Sequence, residues 1–345
     1  MDARVITWFL GPVVLLALVV NAARWVGARR LDPFAGRARR RAALGSLLGA
    51  VLAYAVALGG IDRTGETGAA SGEGATAHPG LPALAAVAGI VVAALFEHWV
   101  PRVAPTGARR EAALGIRRGT ESVRLTRYVV GGLVLAVVGL VVGWVTSGPD
   151  GRTGARSWEG VVVTTTQAYP GRAFTLGTVL ALVLLVAVTA WALRDVDARP
   201  ALVDDPELDR ALRLGARIRV LRWSAAGALV TAAGLCLTIG PNLNDVTQRL
   251  RGAVAVAGKP DAPLAPGDWT QNVAFAMTAL GFAALAVALA AILWDAPVVP
   301  RSRQGGAAAP EGPGVATPPA PSSALAPAAS ASTGDPVSRK GGGAP

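Results

Sequence analysis

Seven continuous apolar stretches divide the chain, and polar segments rich in arginine separate most of them. The stretches cover residues 5–22, 42–60, 81–100, 128–146, 174–193, 223–240 and 273–294. At about 1.5 Å per residue, a helix over any of them is long enough for a hydrocarbon core of about 30 Å. The apolar residues follow neither a strand nor an amphipathic-helix period, which indicates helices buried on all sides. The pattern predicts an all-α integral membrane protein with seven transmembrane helices.

The basic residues indicate which way these helices cross. Most of them lie in the connections after the first, third and fifth stretches, and fewer lie in the other three connections. The positive-inside rule places the arginine-rich connections in the cytoplasm. Seven crossings then put the N-terminus outside and the C-terminus in the cytoplasm. The predicted order is one leading helix followed by three hairpins that open to the outside.

Two domains are predicted. Residues 1–295 form the seven-helix transmembrane domain, and residues 296–345, rich in Ala, Pro, Gly and Ser, form a disordered cytoplasmic tail. Two connections should contain local structure. Asp205 and Pro206 favour a helix start ahead of the sixth apolar stretch. The β-branched run between Gly160 and Tyr169 favours a short strand.

The net charge of +11 indicates attraction to anionic partners. The arginines lie beside helix ends, where they act as topology signals and contact anionic lipid. The expected partner is therefore the lipid bilayer and not nucleic acid. The dominance of Arg over Lys and the abundance of Ala, Gly and Pro are typical of a GC-rich bacterial genome. The predicted location is the plasma membrane of a bacterium, that is, its inner membrane, with multiple passes.

Small residues recur at four-residue spacing in three predicted helices. The sets are Gly45, Gly49, Ala53 and Ala57; Gly139 and Gly143; and Ala228, Ala232, Cys236 and Gly240. Such stripes allow helix backbones to approach closely in lipid. Ordinary packing inside the bundle is the favoured interpretation. Contact with a protein partner, or formation of a homo-oligomer through these faces, is the alternative.

One intramembrane polar site stands out. Glu97 is the one acid inside an apolar stretch, and His98 follows it. Neighbouring helix residues project about 100° apart, so the two form no tight metal pair by themselves. Glu97 lies within a turn of the membrane edge, where a role at the interface near Arg102 is favoured. Proton or substrate coupling is the alternative.

The chain otherwise lacks residues that signal catalysis. It has one cysteine, so no cysteine metal cluster can form. The seventh stretch contains no lysine for a retinal-type Schiff base, and none of the common nucleophile, metalloprotease or phosphate-loop motifs is present. We therefore predict no catalytic, cofactor-binding or metal-binding residues, no cofactor and no enzymatic activity.

Two functions from different classes remain open. The first is an accessory or scaffold protein, or a membrane subunit, that acts through partner proteins; the lack of a central ionisable residue favours it. The alternative is a permease for a small solute. Two features favour the permease: Pro12 should kink the first helix, and the second and third hairpins resemble each other at an offset of 95 residues.

Overall fold

The computed structural model of the protein describes residues 78–98, 120–158, 161–165, 169–199, 206–256 and 269–293, with isolated positions between 40 and 55. The described part is mostly helical, as the sequence predicts. Its elements are α1 (Leu81–His98), α2 (Thr120–Val145), β1 (Ala155–Trp158), β2 (Val161–Thr164), α3 (Arg172–Ala198), α4 (Pro206–Val256) and α5 (Trp269–Leu293). The isolated positions between 40 and 55 are helical too.

Four helices are long and apolar enough to cross a membrane. They are the spans Ser122–Val145, Arg172–Ala198, Asp209–Val256 and Trp269–Ile292, and a shorter apolar helix covers Leu81–Phe96. These helices indicate a membrane protein. The predicted span over 5–22, most of the span over 42–60 and the tail over 296–345 lie outside the described residues.

Helix α4 occupies the centre of the described bundle. It contacts α1, α2, α3 and α5. The apolar segment of α4 is 78% buried inside the protein. The corresponding segments are 28% buried in α2, 33% in α3 and 28% in α5. The other helices therefore surround α4 and turn their remaining faces outward.

Helix α4 is much longer than its apolar stretch. It begins at Pro206, the start that the sequence predicts, and runs for 51 residues. The predicted helix covers only 223–240, and the prediction of a loop after it is wrong for 241–256. Beyond Pro241 the buried residues Leu243, Val246, Leu250 and Val254 recur at three- and four-residue spacing. This apolar face gives the extension a surface to pack, which the membrane pattern alone does not reveal.

Close helix contacts are made at glycines. A Cβ atom at Gly132 of α2 would lie 3.0 Å from the Cβ of Ala228 and from the backbone nitrogen of Leu229. A Cβ at Gly49 would lie 3.0 Å from the carbonyl oxygen of Gly89 in α1. At both places the missing side chain allows two helix backbones to approach closely, which is how helices associate in lipid.

The outward faces of α2, α3 and α5 carry large apolar side chains. Exposed examples are Val134 and Val141 of α2, Leu176, Leu180 and Val183 of α3, and Phe275 and Phe282 of α5. Trp144, Trp191 and Trp269 are about half exposed. Trp144 and Trp269 lie at helix ends, and Trp191 lies about two turns before the end of α3. Apolar faces bordered by indole rings at helix ends are typical of helices in contact with a bilayer.

Neighbouring glycines of α2 test this packing. We expect Gly132→Leu to lower the free energy of unfolding by about 1–3 kcal/mol, because the new side chain overlaps α4. Gly131→Leu is the matched control: Gly131 is exposed, and a Cβ there would meet no described atom within 4 Å. It should not lower the free energy of unfolding, since leucine has the higher helix propensity and here meets no neighbour. Denaturant titration in mixed micelles measures both, and equal losses would contradict this helix contact.

Candidate functional site

Both ends of α4 extend beyond its apolar stretch and meet polar structure. We call the side that carries β1 and β2 the hairpin side, and the side where α4 begins the arginine side. Because the two ends belong to one helix, the polar structures on the two sides are physically connected. They are the main candidate sites in the described part of the chain.

A two-stranded antiparallel sheet forms the hairpin side. Ala155 pairs with Thr164, and Trp158 pairs with Val161. Along β2, partly buried and exposed residues alternate, so that one face of the strand points inward. Both strands contact α4. The sheet and the end of α4 therefore form one packed unit, which we call the hairpin module (residues 146–158, 161–165 and 241–256).

Buried hydroxyl groups attach this module to the bundle. The Tyr169 hydroxyl is hydrogen-bonded to the Thr146 hydroxyl at the end of α2, and Thr146 also donates to the carbonyl oxygen of Val142 at 2.6 Å. Within the module, the Thr165 hydroxyl accepts a hydrogen bond of 2.9 Å from the backbone of Gly154, which holds the two strands together. Tyr169 is 1% exposed, and burial raises the pKa of its phenol to about 12. The phenol is therefore neutral at physiological pH.

A tight turn precedes β1. The Asp150 carboxylate accepts hydrogen bonds from the backbone of Arg152 and of Thr153, both at 3.2 Å, and from the Thr153 hydroxyl at 2.8 Å. The Thr153 hydroxyl and these backbone amides lower the pKa of Asp150. Gly151 has a φ angle of +66°, which a glycine adopts without strain. This turn fixes where the chain leaves α2.

Arginine–tryptophan contacts lie on the hairpin side. The guanidinium of Arg172 is 5.6 Å from the ring centre of Trp144, and that of Arg156 is 5.7 Å from the ring centre of Trp269. Both distances are within the range of cation–π contacts. Together they connect α2 with α3 and β1 with α5.

Arginine–aspartate pairs organise the arginine side. Asp209 and Arg213 of α4 are 2.7 Å apart, and their side chains are 6% and 9% exposed. Asp197 at the end of α3 pairs with Arg217 of α4 at 2.6 Å. Removing one partner from a buried pair costs more than removing both, since a charge is left uncompensated. The Asp209–Arg213 pair lies within α4, whereas the Asp197–Arg217 pair and a hydrogen bond of 3.5 Å from Arg213 to the carbonyl oxygen of Asp197 connect the start of α4 with α3.

One polar contact joins α3 and α4 inside the membrane span. The hydroxyls of Thr189 and Ser224 are 2.6 Å apart, and both residues are buried. Each hydroxyl oxygen also lies within hydrogen-bond distance of the carbonyl oxygen four residues earlier, at 2.6 Å for Thr189 and 3.0 Å for Ser224. Because a hydroxyl has one hydrogen, one of the two donates to the other and the second donates to its carbonyl oxygen. This contact orients α3 on α4, and a hydroxyl pair of this kind has no acid–base function near neutral pH.

The predicted polar site lies elsewhere. Glu97 and His98 are the last two residues of α1, and their side chains lie outside the described part. Their role stays a prediction. The other histidine, His78, precedes α1 and accepts a hydrogen bond of 3.1 Å from the backbone of Gly80. Its ring is 5.8 Å from that of Phe174 in an edge-on arrangement. His78 therefore contacts α3, at the opposite end of α1 from Glu97 and His98.

The small-residue stripes meet neighbours within the chain. Ala228, Ala232 and Cys236 are fully buried. A Cβ at Gly240 would collide with Thr278, and one at Gly139 would lie 3.2 Å from the Cβ of Leu235. This geometry agrees with the favoured interpretation of these stripes, which is packing within the bundle.

Neither the side chains of the described residues nor comparisons with known proteins assign an activity to this chain. Among the residues that the structure describes, no group of three or more His, Cys, Asp or Glu side chains is placed to hold a metal ion. Comparisons with protein families, with curated proteins and with solved structures found no match. A proposal for function therefore depends on the architecture alone.

The amino-acid sequence does not reveal the hairpin module as a unit. The β-branched run indicated a strand, and Val161–Thr164 confirms it. The partner strand, Ala155–Trp158, has no β-branched residue and gives almost no signal. The extension of α4 was missed because Gly240 and Pro241 suggest a helix end. Its three- and four-residue apolar spacing was the signal that could have revealed it.

The Tyr169 hydroxyl provides a test of how the module is attached. We expect Tyr169→Phe to weaken the attachment by about 1 kcal/mol, since one buried hydrogen bond is lost. Hydrogen exchange at the amides of Ala155 and Thr165, which bond to Thr146 and Gly154, should then accelerate about fivefold. Ser147→Ala is the control, because that hydroxyl bonds to the Trp144 carbonyl at an exposed position. Unchanged exchange in Tyr169→Phe would argue against the attachment.

Proposed function

We propose that this chain is a multi-pass plasma-membrane protein that acts through partner proteins, as an accessory or scaffold protein or as a membrane subunit. In this proposal it has seven transmembrane helices, an external N-terminus, a cytoplasmic C-terminus and no enzymatic activity of its own. The hairpin side is external and the arginine side is cytoplasmic, as the positive-inside rule requires. Partners bind the polar structures at the two ends of α4.

The continuity of α4 carries this proposal. At about 1.5 Å per residue, its 51 residues span about 76 Å, more than twice the hydrocarbon thickness of about 30 Å. One end packs on the hairpin, and the other is held by the Asp197–Arg217 pair. A displacement at either end is thus transmitted along one helix. This arrangement suits a protein that relates events on one surface to a partner on the other.

A permease for a small solute is the second candidate. Pro241 favours it, because a proline inside a transmembrane helix frees a carbonyl group and allows bending. The Glu97–His98 site would then serve proton or substrate coupling. The composition of α4 favours the first proposal. Between residues 224 and 240, in the membrane-spanning middle of this helix, its described buried side chains are apolar or carry a hydroxyl group.

The proposed orientation can be tested by cysteine labelling. Cys236 is the single cysteine and is buried, so Cys236→Ser gives a cysteine-free background. We expect Ser157→Cys on the exposed hairpin to react with a membrane-impermeant maleimide in intact cells. Arg210→Cys, exposed on the arginine side, should react only after permeabilisation. If only Arg210→Cys reacts in intact cells, the proposed topology is inverted. If both variants react in intact cells, the two positions do not lie on opposite sides of the membrane.

The partner proposal is tested by the composition of the native particle. We expect the protein, purified in mild detergent from its own host, to carry at least one other protein in stoichiometric amount. An unrelated multi-pass protein purified in the same way defines the background. A particle that contains this chain alone would contradict the proposal and favour the permease. Reconstitution into liposomes with solute uptake, and its loss in Glu97→Gln, would then be the decisive measurement.

A further inference from the structure

A contact between Arg172 and Trp144 connects two helices at the hairpin-side edge of the membrane. Arg172 is the first residue of α3, and Trp144 is the last but one of α2. The guanidinium carbon lies 5.6 Å from the centre of the indole ring, and both residues are exposed. Indole rings concentrate in the headgroup layer of a bilayer. The cation therefore lies at the depth of the phospholipid phosphates.

The hydrogen-bond donors of Arg172 are available to an acceptor outside the chain. A cation–π contact uses the charge of the guanidinium and leaves its five N–H groups unoccupied. Among the described residues, Trp144 is the one side chain that contacts this guanidinium, and no carboxylate pairs with it. The Asp150 carboxylate belongs to the adjoining turn, but it is hydrogen-bonded to the Thr153 hydroxyl and to backbone amides. An anion from outside the chain can therefore bind Arg172.

The start of α3 adds positive potential at the same place. Gly171 precedes this helix and has no side chain to cap it, and the first turn contains no acidic residue. The first turn of a helix carries the positive end of the helix dipole. The dipole and the charge of Arg172 therefore both favour a negatively charged group here.

On the membrane side of this contact, both helices expose apolar side chains. Leu176 and Leu180 follow Arg172 at intervals of four residues, and Val141 precedes Trp144 by three, so each lies on the same helix face as the residue it accompanies. Leu176 is 71% exposed, Leu180 59% and Val141 56%. A cation at the headgroup layer is thus continuous with two apolar faces, an arrangement that fits an amphiphile with a negatively charged head.

The backbone fixes the relative position of the two helix ends. A Cβ at Gly143 of α2 would collide with the carbonyl oxygen of Pro170, and one at Gly171 would lie 2.6 Å from the Cβ of Ser147. The chain around the start of α3 is therefore packed directly against the end of α2. Because the two helix ends are already in place, a ligand of Arg172 and Trp144 does not have to order them, which lowers the entropic cost of binding.

We propose that Arg172 and Trp144 bind the phosphate of one anionic phospholipid in the hairpin-side leaflet, with its acyl chains along the apolar faces of α2 and α3. The planar guanidinium donates two N–H groups to two phosphate oxygens, and the indole ring holds the guanidinium in position. We call this arrangement the phospholipid site. It holds a single lipid in stoichiometric amount, unlike the general attraction of arginine-rich connections to lipid. It requires no protein partner.

The similar contact between Arg156 and Trp269 does not carry the same inference. Arg156 has a further interaction within the chain, so its donors are not all available to a ligand. The proposal is therefore limited to Arg172.

Lipid titration of the purified full-length protein tests the phospholipid site. We expect phosphatidylglycerol, added to the protein in dodecyl maltoside micelles, to raise the midpoint of thermal unfolding, since a ligand of the folded state stabilises it. In Arg172→Gln, an equal rise should require about ten times more phosphatidylglycerol, because charge-assisted hydrogen bonds are lost. Arg172→Lys, which keeps the charge but not the planar pair of donors, should fall between the two.

Arg152→Gln is the matched control. Arg152 is an exposed arginine on the same side of the membrane, and in the described structure its side chain contacts no aromatic ring. Arg152→Gln should respond to phosphatidylglycerol like the unmodified protein. An equal loss in Arg152→Gln would show attraction by net charge alone, and an unchanged response in Arg172→Gln would show that the lipid binds elsewhere. Either result would overturn the proposal.

The chemistry of the ligand is tested with two further compounds. Phosphatidylcholine, whose head has no net charge, should raise the midpoint less than phosphatidylglycerol does. Glycerol phosphate, which has no acyl chains, should not raise it, because the apolar faces of α2 and α3 then contribute nothing. An equal rise with phosphatidylcholine would indicate general solvation by lipid, and an equal rise with glycerol phosphate would indicate a site for soluble phosphates. Both would contradict the phospholipid site, and neither bears on the proposed action through partner proteins.

Native mass spectrometry provides an independent count of bound lipid. We expect the unmodified protein and Arg152→Gln to retain one phosphatidylglycerol per chain after washing with detergent, and Arg172→Gln to retain none. Trp144→Leu should weaken retention about threefold, whereas Trp144→Phe, which keeps an aromatic ring, should weaken it less. Retention of the same lipid by Arg172→Gln would refute the site.

Discussion

Hydrocarbon gives two helices no hydrophobic reason to associate, so close backbone packing has to hold this bundle together. The structure achieves it with glycine and alanine around one central helix. Gly132 meets Ala228, and Gly227 meets Ala86. Larger side chains at these points would separate the helices by a distance that the remaining contacts cannot bridge. The position of every other described element depends on this close approach to α4.

The central position of α4 explains its composition. Its buried residues between 225 and 239 include five alanines, a cysteine and only a few larger side chains, because neighbours approach it from several directions. The outer helices are close to α4 on one side only, and they carry Val, Leu and Phe on the other. Most of the apolar part of α4 is therefore buried, although many of its buried side chains are small.

The polar ends of α4 explain how an apolar bundle acquires defined surfaces. On the hairpin side, an amphipathic extension, a two-stranded sheet and the Tyr169–Thr146 hydrogen bond form one unit. On the other side, ion pairs such as Asp197–Arg217 fix the helix start. A continuous helix with structured ends is a suitable connection between partners on two surfaces.

The sequence by itself determined the membrane class, the approximate positions of α1, α2, α3 and α5, the start of α4 at Pro206 and the strand near Val161, because each follows from local hydrophobicity or from residue types with strong backbone preferences. The polar site at Glu97 and His98 also came from the sequence, and it stays a prediction. Only the tertiary structure decided that α4 continues past Pro241. That extension is stabilised by contact with the two-stranded sheet of β1 and β2, which is distant in sequence. Likewise, Gly139 and Gly234 lie 95 residues apart, at matching positions of the two hairpins that resemble each other in the sequence. A Cβ at Gly139 would contact Leu235, whereas one at Gly234 would meet no described atom within 4 Å. Which glycine meets a neighbour depends on where the other helices end, and no local pattern contains that information.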